Sequence, residues 1–140
     1  MPAKDLYHPT VCNALLKDGW TITDDPLILK LGIRSVFVDL GAERVIAAER
    51  GSEKIAIEIK SFLSPSPIRD LENAWGQFFI YSRALAKRDP DRTLYLAITQ
   101  ETFSNIFQEP IGQLLLEEPG FRLMIFDPQL ETIVTWKSSI

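Results

Sequence analysis

Apolar side chains recur at intervals of three and four in two stretches of the chain, and this spacing predicts two helices. The first is predicted over residues 9–18, with Pro9 in its first turn and Gly19 as its C-terminal cap. The second is predicted over residues 67–87, with Ser66 as its N-cap. Its stripe consists of Ile68, Leu71, Trp75, Phe78, Phe79, Ser82 and Leu85.

Shorter runs rich in branched and aromatic residues predict strands separated by turns. These runs, including one extended segment at 27–31, cover residues 20–23, 27–31, 36–40, 44–50, 54–62, 93–98, 122–126 and 132–136. Gly51 and Ser52 predict a hairpin connection, and a turn at 127–129 joins the last two strands. Thr99 is expected to cap a helix to about residue 107, with a short helical piece through 116. The order α-β-β-β-α-β-α-β-β predicts an α/β (α+β) fold, a mixed sheet flanked by helices.

Length and composition narrow the class of protein. The 140 residues are 46% hydrophobic with a single cysteine, which predicts one domain over 1–140 that folds without disulfides. The charged N-terminal segment lacks the apolar core of a signal peptide, and no apolar run approaches the ~20 residues of a membrane span. We therefore expect a cytoplasmic protein with no membrane anchor.

Charge is distributed unevenly. The net charge of -4 argues against nucleic-acid binding by bulk charge alone. Residues 1–98 carry 13 basic and 13 acidic side chains, whereas residues 99–140 carry 2 and 6, so the acidity lies in the last third. The neutral part contains five cations that we expect to be able to meet phosphates: Lys60, Arg69, Arg83, Lys87 and Arg88.

The strand predicted at 54–62 carries the most informative chemistry. Strand alternation places Ile55, Ile57 and Ile59 on one face, and Glu58 and Lys60 on the other. Periodicity alone favours an edge or solvent-facing strand with an ordinary ion pair. The functional alternative is that Glu58 and an upstream acid, Asp39, bind a hard divalent cation beside Lys60.

The spacing of these residues resembles the PD-(D/E)xK nuclease signature, in which a strand-end acid precedes an ExK strand. Gln77 and Tyr81 match the QxxxY element of RecB-like members. The resemblance implies an endonuclease-like fold in which Asp39 and Glu58 bind Mg²⁺ or Mn²⁺ and Lys60 supports the attacking water. It also implies that Gln77 and Tyr81 orient the site.

The chain departs from that signature in two respects. No proline precedes Asp39, and the interval of 19 positions from Asp39 to Glu58 leaves Glu43 or Glu49 as rival ligands. The first predicted helix contains no glutamate, so only Asp18 at its end or Asp5 before it can supply the further acid that many of these nucleases use.

At whole-chain level the sequence resembles the XisH family, the cyanobacterial fdxN-element excision controlling factors. The resemblance rests on MPAKDLYHPTVCNALLKDGWTIT, VDLGAERVIAAERGSEKIAIEIKSFL, GQFFIYSRAL, RTLYLAI and EPIGQLL. It implies an accessory factor for site-specific excision of a DNA element during heterocyst differentiation. The implied partners are DNA, an XisI-like protein and a site-specific recombinase; a homo-oligomer is also left open.

Three hypotheses follow from these patterns. The first is a metal-dependent nuclease; the second is a nuclease-like accessory that binds DNA or partners without cutting. The third is a structural protein whose acidic C-terminal part, with Glu117 and Glu118, docks a partner.

The remaining chemically active residues predict no further site. His8 is the only histidine, so a histidine-containing zinc site is expected to lack partners and His8 to serve at the helix start or the surface. Cys12 is expected in the core of the first helix. No glycine-rich phosphate loop occurs in the sequence.

Overall fold

The computed structural model describes residues 4–47 and 51–138. Its helices are α1 (His8–Lys17), α2 (Pro67–Arg88), α3 (Gln100–Ser104) and α4 (Pro110–Leu116), with a 3₁₀ turn at Ile106–Gln108. Its strands are β1 (Thr21–Asp24), β2 (Leu27–Leu31), β3 (Arg34–Val38), β4 (Leu40–Ala47), β5 (Gly51–Ile59), β6 (Arg92–Thr99), β7 (Arg122–Asp127) and β8 (Thr132–Ser138).

Within the described residues, six strands form one mixed sheet in the order β1-β4-β5-β6-β7-β8. The pairs β5–β6 and β6–β7 are parallel, and the other pairs are antiparallel. β2 and β3 form a separate antiparallel hairpin. Without that hairpin, the chain enters the main sheet in the order α-β-β-β-α-β, and the predicted mixed sheet flanked by helices is confirmed.

Both faces of the sheet are covered, which determines the environment of β5. Ile55, Ile57 and Ile59 pack with α1, whereas Ala56 belongs to the core cluster that includes α2. The predicted alternation is therefore correct. Glu58 is only 6% exposed, so the interpretation of β5 as a solvent-facing strand is wrong.

The helix α2 forms as its sequence predicts. Ser66 is the N-cap, and its hydroxyl accepts a hydrogen bond from the backbone N–H of Arg69 at 3.3 Å. Its buried face includes Leu71, Phe78 and Leu85, which pack on the sheet, although Ile68 and Phe79 of the predicted stripe are about half exposed. This packing holds the inner face of α2 against the core.

The predicted strand at 36–40 is in fact divided. Val38 pairs with Leu27 in the small hairpin, while Leu40 pairs with Ile57 in the main sheet. Asp39 is the bend between the two sheets, because its backbone and side chain bond to β5.

Other predicted boundaries also differ from the structure, and among them β4 begins at Leu40, four residues before the strand predicted at 44–50. Gly51 and Ser52 belong to β5 instead of forming the connection, and residues 48–50 of the predicted strand lie outside the described residues. β5 ends at Ile59, and the helix capped by Thr99 ends at Ser104. In the described residues, no helix is both long enough and apolar enough to cross a bilayer.

Candidate functional site

Asp39 and Glu58 meet where β5 approaches its C-terminal end. The backbone N–H of Asp39 donates to Oε1 of Glu58 at 3.3 Å. Oδ2 of Asp39 accepts from the backbone N–H of Ile59 at 2.8 Å. The bend between the two sheets thus locks one carboxyl group beside the other.

The two acids share an environment that opposes full ionisation. Burial, followed by the charge of Asp39, raises the pKa of Glu58 from 4.5 to about 8. Burial also raises the pKa of Asp39, against the lowering effects of the Ile59 N–H and the nearby charges of His8 and Lys60. Two adjacent buried carboxyls retain a proton unless a cation balances them.

Lys60 lies immediately beyond β5 and supplies the nearest described cation to Glu58. Its ammonium Nζ lies 3.8 Å from Oε2 of Glu58, and its side chain is about one-quarter exposed. Its backbone N–H donates to the carbonyl of Ala97 at 3.1 Å, which extends the pairing of β5 with β6 by one residue. Lys60 therefore stands between the buried acids and solvent.

The predicted helical residues lie on α2, and one of them lies near enough for the charges of both acids to act on it. Burial raises the pKa of Tyr81 to about 12, with further contributions from the charges of Glu58 and Asp39. Gln77 lies one helical turn earlier, and its Oε1 is buried without a hydrogen-bond partner. Asn73 lies one turn before Gln77 on the same face of α2. Its spacing of four residues from Gln77 is a signal in the sequence that could have identified it.

An open cavity of about 240 Å³ adjoins Lys60 at the end of β5. Asn73 and Asp70 of α2 line it, together with Asp5, whose Oδ2 accepts from the backbone N–H of Ser61 at 3.1 Å. Asp5 is thus the acid from the N-terminal segment that approaches the site. Asp18 lies elsewhere, bonded to Trp20 and Arg44.

The rival acids have different outcomes. Glu43 pairs with Lys54 on the neighbouring strand at 3.6 Å, which places its carboxylate in a different ion pair from that of Glu58. Glu49 lies outside the described residues.

The predicted phosphate-contacting cations do not form a single patch. Arg69 lies in the first turn of α2, and Arg83, Lys87 and Arg88 lie in its last two turns. Fourteen residues or more of helix separate the two groups, a distance of about 21 Å along the axis. Arg69 and Lys60 belong to the end of the sheet that contains the cavity.

Sequence reasoning missed the surroundings of His8. The residue begins α1, as expected, but it is only 4% exposed, so a surface role is wrong. Its Nε2 lies 2.8 Å from Oδ1 of Asp25, and its charge acts on Asp39. Asp25 lies between β1 and β2, so only the tertiary fold brings it to α1.

Comparisons with known proteins agree with this fold. The family model described as "XisH protein" matches residues 1–134. The crystal structure of an XisH family protein from Nostoc punctiforme PCC 73102 is 40% identical, with a TM-score of 0.84 over 94% of this chain and 98% of that chain.

A second crystal structure, a fdxN element excision controlling factor protein from Anabaena variabilis, is 39% identical with a TM-score of 0.83. That match covers 95% of this chain and 98% of the other. No curated protein matches the chain. The match of the family model over almost the whole chain, together with these two structures, shows that the chain belongs to the XisH family.

Proposed function

We propose that this protein is a controlling factor in the excision of a DNA element, with a metal-dependent phosphodiester-hydrolysing centre at Asp39, Glu58 and Lys60. The role in excision is inferred from the relative in Anabaena variabilis that is described as an excision controlling factor. The observation that carries the chemistry is the buried Asp39–Glu58 pair, whose pKa values are both raised.

The donor set fits a hard divalent cation. Mg²⁺ and Mn²⁺ favour oxygen ligands, and Mg²⁺ is commonly bound by one or two carboxylates together with waters and substrate phosphates. A cation at Asp39 and Glu58 replaces the proton that the pair otherwise retains. When bound, such an ion supplies Lewis acidity at the phosphate and lowers the pKa of its water.

The protein's own groups have complementary roles in this proposal. Lys60, 3.8 Å from Glu58, stabilises the negative charge that develops on the phosphate and orients the attacking water. Tyr81, whose pKa is raised by burial and by the charges of Glu58 and Asp39, offers its protonated hydroxyl as a donor to water or substrate at the site. Gln77 positions water or substrate through its unpartnered Oε1.

The PD-(D/E)xK resemblance is consistent with the proposed chemistry. The main sheet is entered in the order α-β-β-β-α-β. Asp39 lies just before the second strand of that series, and Glu58 and Lys60 lie at the end of the third, which is antiparallel to it.

The test is DNA cleavage by the purified protein with Mg²⁺, Mn²⁺ or a chelator, on supercoiled, linear and single-stranded DNA. We expect cleavage only with metal, and we expect Glu58→Gln to remove it. Glu43→Gln is the matched control, because it makes the same chemical change in a carboxylate paired with Lys54. Cleavage that persists in Glu58→Gln would overturn the proposed centre.

The second candidate is a module that binds DNA or a partner without cutting, and thereby steers a recombinase. It is favoured by the absence of a glutamate from α1 and by the proton that the acid pair retains near neutral pH. Calorimetry with Mg²⁺ distinguishes the two candidates: this one predicts no heat of binding, but a gel shift with DNA or capture of an XisI-like protein. Reversing the charges of Glu117 and Glu118 tests where the partner binds. Loss of capture would place the partner on the acidic C-terminal part, and persistent capture would exclude that surface.

A further inference from the structure

A second cluster of metal-ligating side chains lies between α1 and the turn that follows β1. His8 and Cys12 are four residues apart on α1, so they share one face of the helix. Asp25 reaches them from the segment between β1 and β2. One ligand atom from each of the three residues lies within 4.8 Å of the other two.

The state of His8 points to a missing ligand. Its side chain is 4% exposed, yet neither Nδ1 nor Nε2 makes a hydrogen bond. Nε2 and Oδ1 of Asp25 are 2.8 Å apart, but their alignment is not that of a hydrogen bond. Buried polar side chains almost always have a partner, and a bound ion would supply one here.

The donor atoms favour one class of ion. An imidazole nitrogen, a thiolate sulfur and a carboxylate oxygen form a mixed set that suits Zn²⁺ and similar transition metals, whereas Mg²⁺ requires oxygen ligands. The thiolate and the carboxylate together carry the two negative charges that balance a divalent ion. We propose that His8, Cys12 and Asp25 bind a zinc-class divalent ion, with its fourth position open to water.

The surroundings permit entry and exchange. Asp25 is about one-third exposed, and Lys4, which pairs with it at 3.8 Å, is 64% exposed. Cys12 is partly buried beside the core. The three ligands are distinct from Asp39 and Glu58, so this site does not depend on the function proposed above.

The test uses Co²⁺ as a spectroscopic substitute for Zn²⁺ in the reduced full-length protein. We expect one thiolate-bound ion per chain, seen as a thiolate-to-cobalt charge-transfer band, and displacement of that Co²⁺ by Zn²⁺. Cys12→Ser should remove the band, and His8→Ala or Asp25→Asn should weaken binding by about 10-fold or more. Asp91→Asn is the matched control: it makes the same change at an exposed position remote in sequence and should leave binding unchanged.

Two results would overturn the proposal. One is a wild-type Co²⁺ spectrum without a thiolate band, which needs no variant and so holds even if a substitution unfolds the protein. The other is loss of the band in Asp39→Asn/Glu58→Gln with circular dichroism unchanged, which would show that the thiolate-bound ion needs the acid pair and that the site is not separate. Retention of the band in that double variant, whether or not DNA is cleaved, supports a separate site.

Discussion

At the scale of single residues, the face of β5 on which a side chain lies determines its environment. The strand is buried on both sides, so Glu58 lies in the apolar layer beneath α2 instead of in solvent. An isolated buried carboxylate costs several kcal/mol, and the chain meets that cost with a retained proton and the neighbouring Lys60. Protonation at this residue is therefore linked to folding.

The free energy of unfolding of the metal-free protein should fall as pH rises from about 4.5 to about 8. Since the folded pKa of Glu58 is about 8 against an ordinary 4.5, the folded state holds the proton that the unfolded state has released. The slope contributed is at most about 1.4 kcal/mol per pH unit. Urea denaturation of wild type and Glu58→Gln in chelator measures it as the difference between the two proteins.

The matched variant separates the titration of the Asp39–Glu58 pair from that of the remote carboxylates, which titrate equally in both proteins. The advantage of wild type over Glu58→Gln should shrink with rising pH, and Mn²⁺ at pH 8 should restore it. Parallel curves for the two proteins would contradict the raised pKa.

At the scale of elements, α2 and the α4 region differ in how tightly the backbone packs. Gly112 of α4 lies against the 3₁₀ turn, where an added Cβ would lie 2.1 Å from the carbonyl oxygen of Ile106. Gly76 of α2 has no neighbour within 4 Å of such an atom. The glycine in the EPIGQLL segment is thus required by a close contact between backbones.

Alanine substitution should have opposite effects at these two glycines. Gly112→Ala should lower the free energy of unfolding by about 1–3 kcal/mol, because the turn must shift to admit the methyl group. Gly76→Ala should raise it by about 0.5–1 kcal/mol through helix propensity. Urea midpoints for both variants are the measurement. Equal destabilisation at the two positions would contradict the argument that the close backbone contact at Gly112 excludes a methyl group.

At the scale of the whole molecule, Arg92 connects the separate strands below the site. Its side chain is 8% exposed and donates to Asp89 at 2.7 Å, to Asp24 at 3.1 Å and to the carbonyl of Ile55 at 2.9 Å. These contacts join the end of α2, β1 and β5. Only a planar guanidinium has donors in the directions that these contacts require.

Arg92→Lys should therefore destabilise the fold by about 2 kcal/mol, as an ammonium cannot satisfy all three acceptors. Arg88→Lys, at the exposed end of α2, should change stability by less than about 0.5 kcal/mol. Thermal unfolding of both variants checks this, and similar melting temperatures would refute the bridging role.

The distribution of charge over the whole molecule determines how strongly its binding to DNA should depend on salt. Among the described residues, Lys60 is the one basic side chain that lines the cavity, and Arg69 precedes Asp70 of its lining. With a net charge of -4 as well, few phosphates can be neutralised there. In the presence of Mg²⁺, a plot of log binding constant against log salt concentration should have a slope of about -2, because each neutralised phosphate contributes about -0.9.

Arg69→Ala should make that slope shallower by about one unit in fluorescence anisotropy with labelled duplex DNA. Arg122→Ala should not, because Arg122 begins β7 and so lies at the opposite end of the parallel strands. A slope much steeper than -2 would indicate a basic surface elsewhere on the molecule.

Much of the architecture follows from short stretches of sequence. The alternation in β5, the Ser66 cap of α2 and the closing β7–β8 hairpin were all predicted correctly, since each depends on backbone geometry over a few neighbouring residues. The spacing of Gln77 and Tyr81 on one helical face belongs to the same class of local information.

The chain by itself thus determined the type of most elements and the residue types of the acid site. The tertiary structure alone decided that Asp39, instead of Glu43, contacts Glu58, since the bend between two sheets selects the acid. It also decided that His8, Cys12 and Asp25 converge, although the lone histidine predicted no zinc site. The reason is physical: periodicity extends over one or two turns, whereas contacts between distant residues depend on strand register and on which faces pack together.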